Sequence, residues 1–169
     1  MKALSRVVAA GAMALSLAGC VGFSNTFAVS PFLDRKIEGT DFNMCLAAAY
    51  QRRTKVEATV DSDYVHAGRF AQRGEAALRG EAVEPWHASE WNVAAEDVAA
   101  LDSARAELVA LVAANRDARP CECAQPQVAY DGWLEQSHDN DLGAGFIGPV
   151  QKDFVAAEPL LLRAVKNYD

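Results

Sequence analysis

No stretch of this chain is apolar for long enough to cross a lipid bilayer. The longest apolar run covers residues 7–18, about twelve residues, whereas a membrane-spanning helix needs roughly 20. No later segment has a longer apolar run. We therefore expect no permanent transmembrane helix, and any attachment to a membrane must be made in another way.

Basic residues are also too few to favour polyanionic partners. The chain has 16 Lys and Arg residues against 23 Asp and Glu residues, which gives a formal net charge of −7 at neutral pH. An acidic protein is repelled by the phosphates of nucleic acids and by anionic lipid headgroups. This charge excludes nucleic acid as a main partner.

Motifs that carry catalysis or bind cofactors are missing as well. There is no Gly-x-Ser-x-Gly elbow for a nucleophile and no Cys-x-x-Cys redox pair. The Gly-x-Gly-x-x-Gly pattern at residues 143–148 follows no predicted strand, which favours a flexible connector over a dinucleotide site. The acidic residues at 139 and 141 do not complete a calcium loop. We predict no enzyme, no catalytic residue, no cofactor and no metal site.

The first twenty residues have the layout of an export signal. Lys2 and Arg6 precede the apolar run, and Leu-Ala-Gly-Cys at residues 17–20 ends it. This ending resembles a bacterial lipobox. In proteins with that motif, the cysteine thiol receives a diacylglycerol, the signal is cleaved before it, and the new amino end is usually acylated. The resemblance implies that residues 1–19 are removed and that Cys20 is lipidated.

The two residues after Cys20 bear on the destination of such a lipoprotein. They are Val21 and Gly22, whereas an aspartate there retains lipoproteins of enteric bacteria at the inner membrane. The resemblance therefore implies an outer-membrane protein, held by its acyl anchor, with its domain facing the periplasm. Because the signal contains two bases and no acid, its loss changes the formal charge from −7 to −9.

Three cysteines remain for the exported domain: Cys45, Cys121 and Cys123. Disulfides persist in an oxidising compartment, and cysteines separated by one residue rarely bond each other. We expect a disulfide from Cys45 to either Cys121 or Cys123, with one thiol left over, and a stabilisation of about 4 kcal/mol. Cys121-Glu122-Cys123 could instead bind a soft metal with a histidine (His66, His87 or His138), but no second paired ligand set accompanies it.

Helical periodicity dominates the rest of the chain. We predict an all-α fold, a single small bundle of four to five helices at residues 40–169, preceded by a lipidated, flexible tether at residues 20–39. The first helix starts after Thr40 or Asp41, with five apolar side chains inward (Phe42, Leu46, Ala49, Val56 and Val60) and three basic ones in water (Arg52, Arg53 and Lys55).

Later helices follow in the same way. Asp61-Ser62-Asp63 supplies a break and a new cap for a second helix, which ends at Arg79-Gly80. Residues 81–93 form a loop whose Trp86 and Trp91 fold back onto the bundle. Residues 94–115 form the third helix. A fourth starts at Pro126 and ends near residue 140, and a fifth starts at Pro149. The tryptophans, with Phe70, could fill the core or line a ligand pocket, of which core filling is the commoner outcome.

A second resemblance covers residues 42–157 loosely. Residues 124–136 read Ala-Gln-Pro-Gln-Val-Ala-Tyr-Asp-Gly-Trp-Leu-Glu-Gln, which is similar to a segment of alphaproteobacterial envelope lipoproteins of the OmpA type. The resemblance implies a helical periplasmic module at the outer membrane. That family often has a cysteine where Gly132 stands, so its disulfide does not carry over. Its C-terminal peptidoglycan-binding domain has no counterpart before Asp169, so direct peptidoglycan binding is not implied.

Together these observations predict a lipid-anchored protein of the cell envelope. Its expected role is non-enzymatic, as a structural or protein-interaction module whose partners are other envelope proteins. The alternative is a periplasmic lipoprotein that binds a small ligand or a metal through the aromatic loop or through Cys121 and Cys123.

Overall fold

The computed structural model describes residues 26–141 of the chain, and side chains as far as His138. Within that range the protein is all-α, as predicted, and the described backbone contains no strand. Its five α-helices are α1 (Val29–Leu33), α2 (Phe42–Val56), α3 (Tyr64–Leu78), α4 (Ala95–Asn115) and α5 (Pro120–Asp141), with a π-helical turn at Glu57–Asp61 and a 3₁₀ turn at Ala88–Glu90. None of them combines the length and apolarity that crossing a bilayer requires.

The helix boundaries follow local capping chemistry. Asp41 caps α2 by accepting a hydrogen bond from the Met44 amide at 3.1 Å. Ser62 takes a left-handed conformation, with φ of 59°, and thereby ends the π-helical turn. Asp63 then caps α3, because its carboxylate accepts two backbone N–H bonds at 2.9 Å. The predicted end of α3 at Arg79-Gly80 is confirmed, with Gly80 at φ of 78°.

The core lies where α2 packs against α3 and α5, and α4 closes it by packing on α5. Tyr50 contacts Arg73, and Arg53 and His66 both contact Glu135, so later residues of α2 lie beside earlier residues of α3 and the two helices run antiparallel. The loop after α3 folds back as predicted, with Trp86 and Trp91 almost completely buried. Large apolar and aromatic side chains fill the centre: Phe32, Leu46, Tyr50, Phe70, Leu101, Tyr130 and Leu134.

The segment predicted to be a flexible tether is partly folded into the domain. Val29 and Phe32 of α1 are 1% and 0% exposed. The Phe32 ring lies so close to Gly74 of α3 that no methyl group would fit between them. Gln51 on α2 donates hydrogen bonds to the carbonyls of Phe32 and Arg35. The prediction of a tether through residue 39 is therefore wrong, because a five-residue helix is too short to show periodicity and is stabilised by tertiary burial.

The solvent exposure of three side chains, in α2 and in the turn that follows it, also differs from the prediction. Val56 and Val60 were expected in the core, but they are 39% and 72% exposed. The π-helical turn changes the helical period after Val56, so Val60 does not continue the buried face. Arg53, predicted to lie in water, is mostly buried because two carboxylates pair with it.

Helix α5 begins six residues before the predicted start. Pro120 opens it, a position at which the missing N–H costs nothing, and Pro126 lies inside the helix. Cys121 in its first turn forms a disulfide with Cys45 of α2, with 4.9 Å between their Cα atoms. A proline inside a helix normally interrupts it. The disulfide and the burial of Pro126 favour a helix that continues on both sides of this proline. The predicted fifth helix, from Pro149, lies outside the described residues.

Phe32→Ala tests whether α1 belongs to the folded domain. We expect it to lower the free energy of unfolding by about 3–5 kcal/mol, because it empties a fully buried aromatic site. Urea unfolding followed by far-ultraviolet circular dichroism measures this. Phe27→Ala is the matched control, since Phe27 is 75% exposed and its loss should change stability by less than about 0.5 kcal/mol. Equal effects of the two substitutions would contradict the packing of α1.

Candidate functional site

Two buried polar groups lie side by side between α2, α3 and α5. The Asp131 network consists of Tyr50, Arg73 and Asp131. The Glu135 network consists of Arg53, Glu57, Asp63, His66 and Glu135. Each of the three helices contributes to both networks, with residues spaced so that they share a helix face: 50 and 53 on α2, 66 and 73 on α3, 131 and 135 on α5.

Asp131 is the centre of the first network and is completely buried. Its carboxylate accepts a hydrogen bond from the Tyr50 hydroxyl at 2.5 Å and another from the Trp86 backbone N–H at 2.9 Å. The Arg73 guanidinium lies 3.7 Å from the same carboxylate and donates to the Tyr50 oxygen at 3.2 Å. One carboxylate therefore connects α2, α3, α5 and the aromatic loop.

Burial governs the titration of this network. It raises the pKa of Asp131 to about 6, although Arg73 and the hydrogen bonds from Tyr50 and Trp86 lower it. Burial also raises the pKa of Tyr50 well above its ordinary value, and the neighbouring Asp131 adds to that. At neutral pH the carboxylate is ionised and Tyr50 retains the proton that it donates.

Glu135 is the centre of the second network and is 2% exposed. One of its oxygens accepts from Arg53 Nη2 at 3.0 Å, and the other lies 3.0 Å from His66 Nδ1. The same imidazole nitrogen lies 3.0 Å from Asp63 Oδ2. Arg53 also pairs with Glu57, one turn further along the chain. The network thus alternates acidic and basic groups across three helix faces.

The pKa values in this network move in both directions. Burial raises the pKa of Glu57 to about 8, against the attraction of Arg53. Burial alone would lower the pKa of His66, but hydrogen bonds and charges from Asp63 and Glu135 outweigh it and raise that pKa to about 10. The hydrogen bond with His66 lowers the pKa of Asp63 to about 2. His66 is therefore protonated at neutral pH and cannot act as a general base there.

Aromatic rings cover one side of both networks. The rings of His66, Trp91 and His138 lie within 5.7 Å of one another, centroid to centroid. Trp86 packs against Phe70 and Trp91. Two guanidinium groups stack on these rings: Arg69 lies 3.6 Å from the Trp91 centroid and Arg73 lies 4.7 Å from that of Trp86. Such contacts stabilise a cation most where water is excluded.

An open cleft of about 380 Å³ lies beside Trp86. Its lining comes from α3 and the following loop: Arg69, Gln72, Arg73, Ala76, Glu81, Ala82, Val83 and Trp86. Both arginines are already occupied, since Arg69 stacks on Trp91 and Arg73 contacts Tyr50. The other face of the Trp86 ring packs against Phe70 in the core. The cleft is large enough for a small ligand but offers it little uncommitted charge.

The cysteines that the sequence analysis considered are in different chemical states. Cys45 bonds Cys121, and Cys123 is a buried free thiol whose pKa burial raises to about 11. A metal site built on Cys121 and Cys123 is therefore excluded, because Cys121 is a disulfide cysteine and Cys123 is a poor thiolate. Cys20 lies outside the described residues.

Sequence reasoning missed both polar networks. The signal for them was present: Arg53, Glu57 and Asp63 stand where helical periodicity would also allow buried positions. Charged side chains are almost never fully buried unless they are paired, so they are read as exposed by default. Only the pairing across α2, α3 and α5 shows otherwise.

Comparison of the chain with protein-family models, with curated proteins and with solved structures found no match.

Asp131→Asn tests the ionisation of the first network. In the wild type, the folded state holds a proton on Asp131 up to about pH 6, whereas the unfolded chain loses it near pH 3.8. The stability that this proton contributes is complete below about pH 4 and is lost as the pH rises through 6. We expect the free energy of unfolding of the wild type, relative to the variant, to fall by up to about 3 kcal/mol between pH 4 and pH 7.

Urea unfolding at four pH values across that window measures the difference. Asp102→Asn, which removes an exposed carboxylate from α4, is the matched control. A wild-type advantage that stays constant or grows with pH would contradict the assignment of a buried, proton-binding Asp131.

Proposed function

We propose that this protein is a lipid-anchored component of the bacterial cell envelope that binds other envelope proteins and catalyses no reaction. The observation that carries the proposal is the lipobox-like Leu-Ala-Gly-Cys at residues 17–20. The disulfide between Cys45 and Cys121 supports it independently, because structural disulfides form and persist outside the reducing cytosol. The outer membrane is the proposed site, with the domain on the periplasmic side.

The distance from anchor to domain is short in this proposal. Helix α1 begins at Val29 and is buried against α3, so only eight residues separate it from Cys20. A fully extended chain of that length reaches at most about 30 Å. The acyl anchor would therefore hold the domain near the membrane surface and raise its effective concentration for neighbouring envelope proteins.

Apolar side chains at one end of the bundle support a role in protein binding. Val60, Tyr64 and Val65 are 72%, 51% and 50% exposed, and Val56 is 39% exposed. All four lie within ten residues, around the π-helical turn that joins α2 to α3. Exposed apolar groups gathered in one place are typical of sites where another protein docks. We call these four residues the apical patch.

The buried networks support the non-enzymatic part of the proposal. Asp131 is completely enclosed and is held by Tyr50, Arg73 and the Trp86 amide. His66, which contacts the carboxylates of Asp63 and Glu135, is protonated at neutral pH because these two acids raise its pKa to about 10. Groups that are sealed from solvent, or that carry the wrong proton, are poorly suited to general acid–base catalysis.

Cys20→Ser tests the anchor. We expect the variant to accumulate as an uncleaved precursor without acyl label, because no thiol is present to receive the diacylglycerol. Radiolabelled fatty-acid incorporation and intact-protein mass spectrometry measure both effects. Cys123→Ser is the control, since it removes a buried thiol of the domain and should leave the labelling unchanged. Acyl label on the Cys20→Ser protein would show that the lipobox interpretation is wrong.

Val60→Asp tests the apical patch. We expect in-cell crosslinking of the wild type to yield complexes with other envelope proteins, and we expect the variant to reduce their yield severalfold, since it places a charge in an apolar contact. Stability should change by less than about 0.5 kcal/mol because Val60 is exposed.

Ala99→Asp, on an exposed position of α4, is the matched control for that experiment. Crosslinked complexes that persist in Val60→Asp, or that are lost equally in Ala99→Asp, would contradict a docking role for the patch. A wild type without any crosslinked partner would contradict the interaction function itself.

A further inference from the structure

Three ligand-type atoms converge at the solvent-facing end of the Glu135 network. They come from Asp63, His66 and Glu135, each of which offers one ligand atom within 4.8 Å of the other two. His66 Nδ1 lies 3.0 Å from both Asp63 Oδ2 and Glu135 Oε1. Asp63 and His66 come from the first turn of α3 and its cap, whereas Glu135 comes from the last third of α5. The Asp63 side chain is 31% exposed, so the group is open to water on that side.

Two carboxylate oxygens share one imidazole nitrogen in this arrangement. The His66 Nδ1 atom lies 3.0 Å from an oxygen of each carboxylate. One imidazole nitrogen carries at most one proton, which can make one well-aligned hydrogen bond. The two carboxylates therefore compete for a single proton. A cation at the centre of the three atoms would bind all of them at once, through the lone pair of Nδ1 and one oxygen from each acid.

Two of the distances among these donor atoms are close to those of a metal centre. Zinc bonds to nitrogen and carboxylate oxygen are about 2.0–2.2 Å long, so neighbouring donor atoms of a tetrahedral site lie about 3.4 Å apart. The two Nδ1–oxygen distances of 3.0 Å need only a few tenths of an ångström to reach that value. Three protein ligands leave the fourth position to water, on the exposed side of Asp63.

The surrounding charges also favour a divalent cation. The other Glu135 oxygen accepts a hydrogen bond from Arg53, which orients the carboxylate as outer-shell partners of metal ligands do. When His66 is neutral, the carboxylates of Asp63 and Glu135 outnumber the single guanidinium of Arg53. His138 is not part of this three-residue group, and its Nδ1 contacts the Asn92 carbonyl at 2.9 Å.

We propose that Asp63, His66 and Glu135 bind a first-row divalent cation, for which zinc is the best match to one imidazole and two carboxylates. Binding releases the proton from His66 Nδ1 to water, forms one metal–nitrogen bond and two metal–oxygen bonds, and breaks the hydrogen bonds from that nitrogen. The site goes beyond the anchoring and docking function proposed above and does not depend on it.

The test is a zinc titration of the full-length protein, purified in detergent without a polyhistidine tag and stripped with a chelator. Isothermal calorimetry should show about one equivalent bound to the wild type. Asp63→Asn should weaken binding at least about tenfold, because the amide is a poor ligand. The asparagine oxygen can still accept the backbone N–H bonds of Val65 and His66, so the cap of α3 and the fold are retained.

His87→Gln is the matched control, since it removes an exposed histidine outside the three-residue group and should bind zinc like the wild type. A second measurement needs no variant. Zinc should shift the nitrogen-15 NMR signals of the His66 imidazole and leave those of the His87 imidazole unchanged. Failure of the wild type to bind zinc, equal affinity in Asp63→Asn, or unchanged His66 signals would each overturn the proposal.

Discussion

The burial of two carboxylates one turn apart on α5 is the constraint on which the rest of the structure depends. Asp131 and Glu135 are 0% and 2% exposed. A buried charge is costly unless a partner and hydrogen bonds compensate for it, so both acids require partners from the helices packed on α5. Tyr50 and Arg53 meet that requirement from α2. The same pairs set the register between the helices, because a shift of one residue would remove the partners from both acids.

Other parts of the domain are positioned through these acids. The Trp86 amide binds Asp131, which fixes the aromatic loop over the α2–α3 pair, and Arg73 reaches the same carboxylate from below the indole ring. At the opposite end of α2, the disulfide from Cys45 to Cys121 holds the start of α5. A noncovalent and a covalent connection thus join the same two helices at separate points, which explains how α5 remains helical through Pro126.

The proposed docking surface and the proposed cation site use different parts of the bundle. Docking at the apical patch uses side chains that the bundle does not need, since Val60 and Tyr64 contribute little to the core. The cation site uses the exposed edge of a network that also stabilises the bundle, so the bound ion would add to the fold as well as depend on it. Both lie near the turn between α2 and α3, where the π-helical turn and the left-handed Ser62 reverse the chain.

The sequence by itself determined the helical class, the approximate starts of α2 and α3, the end of α3 at Gly80 and the return of Trp86 and Trp91 to the core, because these follow from local propensity and periodicity. It also limited the disulfide to two pairings. Tertiary structure decided the choice of Cys121, the inclusion of α1, the burial of Arg53 and the convergence of Asp63 and His66 on Glu135. Those features depend on contacts between residues far apart in the chain, and local sequence carries no information about which distant charge will compensate a buried one.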